Sequence, residues 1–77
     1  MRVMSNDDKI EQSLNRLAKQ IASLRNSKGL TQEQLADKAD IDRVALANIE
    51  TGKRRPTVTT LLKLANALST NPADFFN

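Results

Sequence analysis

The sequence predicts an all-α fold of five helices in a single compact domain. Along most of the chain, apolar residues recur at spacings of three and four, which is the period of an α-helix. No stretch alternates apolar and polar residues, so none indicates a β-strand. The two glycines and two prolines all fall where a helix is expected to begin or end. With 77 residues, the chain has room for one domain.

The first predicted helix is long, running from about Asp7 to Ser27. It follows a group of small polar residues suited to an N-cap, and it stops at Gly29. One apolar stripe along it consists of Ile10, Leu14, Leu17, Ile21 and Leu24. We expect residues 1–6 to form a flexible N-terminal arm and residues 7–77 to form the domain.

Two short helices come next, at 32–39 and 43–50 or 51. Thr31 and Gln34 stand at the cap and third positions of the first, which is the capping-box arrangement. Asp42 is suited to cap the second. The residues expected to face the core are Leu35, Ala36, Ala39, Leu46 and Ile49.

The C-terminal third of the chain predicts two further helices. Thr57 caps the fourth, from Val58 to Leu68, and Asn71-Pro72 begins a short fifth helix that ends near Phe76. The buried side of the fourth helix is expected to consist of Leu61, Leu62, Leu64, Ala65 and Leu68.

The connection between the two short helices is very tight. Only Asp40 and Ile41 lie between Ala39 and Asp42, so the bend needs a residue that tolerates a positive φ, as aspartate does. The small Ala36 allows the helices to approach each other closely. This layout is a helix-turn-helix unit over about residues 32–51.

The charge distribution indicates a polyanionic partner. The chain carries 12 Lys and Arg against 9 Asp and Glu, a net charge of +3. Three consecutive cations, Lys53, Arg54 and Arg55, directly follow the third helix and Gly52. Taken alone, such a run is more often an ordinary solvated surface.

Several classes of protein are disfavoured by the composition. The chain has no Cys and no His, and it carries no glycine-rich phosphate loop or paired catalytic acids, so we expect no enzymatic activity, no catalytic residue, no metal and no cofactor. No apolar run approaches the roughly 18 residues that a membrane span needs. We expect a cytoplasmic protein with no membrane contact and no small-molecule effector.

The segment from Leu30 to Leu68, LTQEQLADKADIDRVALANIETGKRRPTVTTLLKLANAL, resembles the Cro/C1-type (XRE) helix-turn-helix domain of phage repressors and related bacterial regulators. Restriction–modification controller proteins are similar in size and layout. One departure is Asp40, where the family most often has glycine. The features that carry the resemblance are Thr31-Gln32, Leu35-Ala36, Ile49-Glu50, Gly52, Pro56 and the leucine-rich fourth helix.

The resemblance implies a lambda-repressor-like fold and sequence-specific binding of double-stranded DNA, with the helix at 43–50 in the major groove. The outward N-terminal side of that helix would contact the bases. The candidate base contacts are Arg43, Val44, Ala47 and Asn48. Arg43 suits guanine, whereas Asn48 suits adenine or a phosphate. Without the resemblance, Arg43 reads as a solvated side chain beside nearby aspartates.

The candidate phosphate contacts flank the third helix. They are Gln32, Thr51, Lys53, Arg54 and Arg55. The role of Gln32 is implied by the resemblance, and its alternative is an ordinary surface glutamine. The resemblance also implies that Glu50 pairs with Arg25 of the first helix, fastening that helix to the end of the third.

Self-association is expected because a domain this short has a thin core. The only aromatic residues, Phe75 and Phe76, are adjacent on a short helix and point in different directions, so a single core can hardly hold both. The residues predicted for a two-fold dimer interface are Leu68, Pro72, Phe75 and Phe76. A dimer of this kind would bind a palindromic operator.

The main alternative is a protein-interaction module, such as an antitoxin, built on the same fold. Intact Gln32, Arg43 and the 53–55 basic run favour DNA binding over this alternative. A membrane-surface helix is a third possibility. The polar face of the first helix lacks the cationic bias that such helices need.

Overall fold

A computed structural model describes residues 3–76 as four α-helices and a C-terminal 3₁₀ helix. The α-helices are α1 (Asn6–Ser27), α2 (Gln32–Ala39), α3 (Arg43–Glu50) and α4 (Val58–Ala67), and the 3₁₀ helix is Pro72–Phe76. The all-α prediction is confirmed. The last helix is 3₁₀, in keeping with the short lengths at which this geometry is used. None of the helices within residues 3–76 combines the length and hydropathy that crossing a membrane requires.

The start of α1 lies one residue earlier than expected. The Ser5 hydroxyl accepts from the Asp8 N–H at 3.1 Å, and the Asp8 carboxylate accepts from the Ser5 N–H at 3.4 Å, which completes a capping box. The predicted flexible arm, residues 1–6, is therefore too long, because Ser5 and Asn6 belong to the helix start. Residues 1 and 2 lie outside the described residues.

Each of the four α-helices ends at a left-handed residue, which is the C-cap itself in α2 and the residue after the C-cap in the other three. At the end of α2, Asp40 has φ 55°, as predicted, and the Ile41 N–H donates to the Ala36 carbonyl at 3.0 Å. Ser69, with φ 52°, plays the same part after α4 and was not foreseen. Gly29 and Gly52 occupy the matching positions after α1 and α3.

The core lies where the inner faces of the helices meet. Its buried residues are Leu17, Ile21, Leu35, Ala36, Ala39, Leu46, Ile49, Leu64, Ala65, Leu68 and Phe75. Two apolar residues assigned to buried stripes are instead exposed, Leu62 at 47% and Ile10 at 43%. Leu62 points to solvent because the side of α4 that faces the core is formed by Leu61, Leu64 and Ala65. Ile10 precedes Leu17, the first buried residue of α1, and so lies on a part of the helix that projects beyond the core.

The 3₁₀ helix is fixed against α1 and completes the core. The Gln20 side-chain amide donates to the Asp74 carbonyl at 3.1 Å, and Phe75 is fully buried. Leu68 and Phe75 are buried within the chain, so the structure does not favour their assignment to a dimer interface. Phe76 remains 61% exposed.

A network of three polar side chains fixes α3 to α1 and α2. Arg25 donates to the Glu50 carboxylate through Nε at 2.8 Å and Nη2 at 3.0 Å. Glu50 also accepts from Gln32 Nε2 at 3.1 Å. Arg25 donates through Nη1 to the Leu30 carbonyl at 2.7 Å. The predicted Arg25–Glu50 pair is confirmed, and we call the three side chains the Arg25–Glu50–Gln32 network.

The pair in this network is shielded from water. The Glu50 side chain is 4% exposed and that of Arg25 is 13% exposed. A bidentate arginine–carboxylate pair of this kind is geometrically well defined. Losing one partner from it leaves the other as a buried, unpaired charge.

We expect Arg25→Ala to lower the free energy of unfolding by about 3 kcal/mol, because the Glu50 carboxylate would stay buried without its partner. Urea denaturation followed by circular dichroism measures the change. Arg16→Ala removes an exposed arginine from the same helix, so it should lower the free energy of unfolding by less than about 0.5 kcal/mol. Equal denaturation midpoints for the two variants would contradict the structural role of the pair.

Candidate nucleic-acid interface

The outer face of α3 is formed by the four residues predicted to contact bases. Successive residues of an α-helix are rotated by about 100°, so the outward arc holds Arg43, Ala47, Val44 and Asn48 in that order. Leu46 and Ile49 lie on the opposite side and are buried. Arg43 and Val44 are exposed, while Ala47 and Asn48 are half-buried. The fold therefore brings all four side chains onto one solvent-facing surface.

Arg43 is free to bind a ligand. Within residues 3–76 its guanidinium forms no hydrogen bond or ion pair, either with Asp40 or with Asp42. The Asp42 carboxylate instead caps α3, accepting from the Ala45 N–H at 3.1 Å. Arg43 is therefore a solvated side chain without an aspartate partner, and the structure alone does not separate a base contact from an ordinary surface arginine.

The N-terminus of α2 presents backbone donors close to the end of α3. Its capping box uses the N–H of Gln34, which donates to the Thr31 hydroxyl at 3.1 Å. The N–H groups of Gln32 and Glu33 have no internal acceptor in the described part of the chain. Together with the helix dipole, such free N–H groups favour an anion.

Gln32 is held in place by the Arg25–Glu50–Gln32 network. Its side chain is half-buried, and the Nε2 that donates to Glu50 carries a second N–H that this bond does not use. The bond holds the Gln32 side chain beside the last residue of α3. The same network neutralises Glu50, so this carboxylate does not oppose an anion nearby.

The segment 51–55 is a tight turn that carries the three consecutive cations, and we call it the basic loop. Gly52 takes a φ of +78°, and the N–H groups of Lys53 and Arg54 both donate to the Asn48 carbonyl, at 2.9 and 3.1 Å. The Lys53 bond, together with the bond from the Gly52 N–H to the Ile49 carbonyl at 3.2 Å, is the pattern of a helix-terminating motif with glycine at its left-handed position. The side chains of Lys53, Arg54 and Arg55 are all exposed.

The members of the basic loop differ in whether they have partners. Within residues 3–76, the side chains of Lys53 and Arg54 form no hydrogen bond. Arg55 donates through Nη2 to the Glu11 carboxylate at 3.2 Å. Thr51 donates its hydroxyl to the Ala47 and Asn48 carbonyls, at 3.1 and 3.3 Å, and its N–H to Ala47 at 3.2 Å. Both donors of Thr51 are used, so the structure does not favour the phosphate contact predicted for it.

Two contacts of this surface could not be predicted from the sequence. Gln32 and Glu50 are 18 positions apart, and Glu11 and Arg55 are 44 apart. Neither spacing has a local signature, because each contact depends on where α1, α2 and the basic loop lie in the folded chain.

The chain is similar to known helix-turn-helix proteins. The control protein C.SmaI of Serratia marcescens is 40% identical over 55 residues, which are 71% of this chain and 66% of that protein. The crystal structure of the restriction-modification controller protein C.AhdI from Aeromonas hydrophila matches with a TM-score of 0.82 and 35% identity, over 84% of this chain and 98% of that one.

A third similar protein has been crystallised with DNA. The restriction-modification controller protein C.Esp1396I, a tetramer in complex with its natural 35 base-pair operator, matches with a TM-score of 0.76 and 33% identity, over 82% of this chain and 83% of that one. The chain spans less than two thirds of the length of the curated relatives it matches. The helix-turn-helix family model HTH_3 matches residues 21–75, more than half of the chain, and this protein therefore belongs to that helix-turn-helix family.

Proposed function

We propose that this protein is a sequence-specific DNA-binding transcriptional regulator that acts as a homodimer on a palindromic operator. The observation that carries the proposal is the outer face of α3, where four residues lie together in solvent and Arg43 has no partner within residues 3–76. The basic loop and the N-terminus of α2 both lie next to the C-terminal end of the same helix. The relationship to controller proteins, one of them crystallised on its operator, supports the same function. A cytoplasmic location is part of the proposal.

In this account α3 reads bases with its outer face. Arg43, at the N-terminal end of the helix, pairs with O6 and N7 of a guanine. The Asn48 side-chain amide forms no hydrogen bond within residues 3–76 and suits adenine N6 and N7. Val44 and Ala47 are small and apolar, so they suit the methyl group of a thymine.

Phosphate contacts hold the helix in the groove. Lys53, Arg54 and Arg55 lie on an exposed loop at the exit of α3, and the free N–H groups at the start of α2 supply a second anchor beside Gln32. Contacts of this type set affinity and register without reading sequence. The Arg25–Glu50–Gln32 network fixes the distance between these two anchors.

The dimer contact is proposed at the C-terminal surface. Phe76 is a large apolar residue that is mostly exposed, and Pro72 on the same 3₁₀ helix is half-buried. A two-fold pair of such surfaces would present two copies of α3 to half-sites about 34 Å apart. The tetramer of C.Esp1396I on its operator is in keeping with an assembly of several copies on DNA.

Selection of bound sequences from a random duplex DNA pool tests this function. The account predicts enrichment of a palindrome with two half-sites about one helical turn apart. A single enriched half-site would contradict the dimer, and binding without any enriched sequence would contradict base reading by α3. The interaction-module alternative would then be favoured.

We expect Arg43→Ala to relax the base preference at one position of each half-site, because the guanine contact is lost. The discrimination lost there should be about 1–3 kcal/mol. Repeating the selection with the variant measures this. An unchanged preference at every position would remove Arg43 from the base contacts.

Lys53→Ala should lower the affinity for every duplex by a similar factor, because it removes a phosphate contact. The slope of log affinity against log salt should become shallower by about one unit. Titration of the operator and of an unrelated duplex at several salt concentrations measures both effects. Lys63→Ala on α4 makes the same charge change at an exposed site away from the basic loop. The prediction fails if this control alters the slope as much as Lys53→Ala does.

A further inference from the structure

The projecting part of α1 carries a carboxylate that is bonded to the basic loop. Glu11 lies before Leu17, the first buried residue of α1, and its Oε2 accepts from Arg55 Nη2 at 3.2 Å. Lys53 and Arg54 have no such partner within the described residues. The DNA-facing cations are therefore not equivalent, since one already has an internal anion.

The Glu11–Arg55 pair belongs to a wider contact between α1 and the basic loop. A Cβ placed on Gly52 would lie 3.3 Å from Asn15 Oδ1, one turn further along α1 from Glu11. A small cavity of about 20 Å³ between the two segments is lined by Glu11, Leu14, Ala18, Gly52, Arg54 and Pro56, among others. The fold therefore holds the carboxylate next to the loop.

We propose that Glu11 is an internal competitor of DNA phosphate at Arg55 and lowers the affinity of the protein for every duplex. This inference rests on the proposed function, because it assumes that Arg55 contacts a phosphate. A phosphate on the free N–H groups of Arg55 would lie within several ångströms of the Glu11 carboxylate. That separation is inside the Debye length of about 8 Å at physiological salt, so the two anions repel.

The size of the effect follows from the exposure of the pair. The Arg55 and Glu11 side chains are 69% and 60% exposed, and solvent therefore screens their interaction strongly. Exposed ion pairs have small coupling, so removing the carboxylate should raise DNA affinity by roughly 2- to 5-fold and not by orders of magnitude.

The effect should not depend on base sequence, because the competition is for a phosphate. The affinities for the operator and for an unrelated duplex should rise by the same factor, which leaves their ratio unchanged. Without Glu11, Arg55 would neutralise its phosphate more completely. The salt slope should therefore become steeper, and the gain in affinity should shrink as salt rises.

The test compares Glu11→Gln with Asp37→Asn, an exposed carboxylate on α2 that makes the same change in net charge. Binding of the full chain to the selected operator and to a scrambled duplex is titrated at several salt concentrations. Circular dichroism checks that each variant is folded. We expect Glu11→Gln to bind both duplexes roughly 2- to 5-fold more tightly than the wild type and with a steeper salt slope, and Asp37→Asn to change little.

A double-mutant cycle with Arg55→Gln separates competition from a general effect of charge. In the Arg55→Gln background, Glu11→Gln should no longer raise the affinity beyond the change seen with Asp37→Asn. A gain that persists undiminished in this background would overturn the inference. A gain for Glu11→Gln equal to that of Asp37→Asn would also overturn it. A loss of affinity in Glu11→Gln would overturn it too, and would mean that Glu11 orients Arg55 for the phosphate.

The wild-type titration distinguishes failure of this inference from failure of the proposed function. If the wild type binds no duplex, both are wrong. If the wild type binds its selected operator and Glu11→Gln behaves as the control does, only the role of Glu11 is wrong.

Discussion

The bidentate pair between Arg25 and Glu50 is the interaction on which the arrangement of this small domain depends. It joins the end of α1 to the end of α3, and Gln32 extends it to the start of α2. Since α2 and α3 have only eight residues each, neither is stable in isolation, and the pair adds a polar link to the apolar contacts that both helices make in the core. The same pair neutralises a carboxylate that would otherwise lie beside two anion-accepting segments.

The interface thus combines a rigid interior with an exposed periphery. Arg25 and Glu50 are shielded from water, so their pair fixes geometry, whereas the cations of the basic loop are exposed, and the ion pair that Arg55 forms with Glu11 is weak. This division suits phosphate binding. Exposed cations attract DNA over a distance, and a fixed backbone sets the register of the protein on the duplex. It also places Glu11 where it can adjust affinity without disturbing the fold.

Features set by local chemistry could be predicted from the sequence, and those set by packing could not. The capping box of Thr31 and the left-handed turn at Asp40 involve neighbouring residues, so both are confirmed. The exposure of Leu62, and the choice of Phe75 over Phe76 as the buried phenylalanine, depend on how the helices pack against each other. The Arg25–Glu50 pair was reached only through resemblance to a family, and the Glu11–Arg55 pair had no local signal at all.

The central claim is that α3 and the segments beside it form the DNA-binding surface, and NMR titration of the full chain with its selected operator tests this most directly. The account predicts that the largest chemical-shift changes fall on Arg43, Asn48, Lys53 and the N–H groups of Gln32 and Glu33. Lys63, on the exposed side of α4, should change little. Changes concentrated on α4, with the outer face of α3 unaffected, would contradict the account.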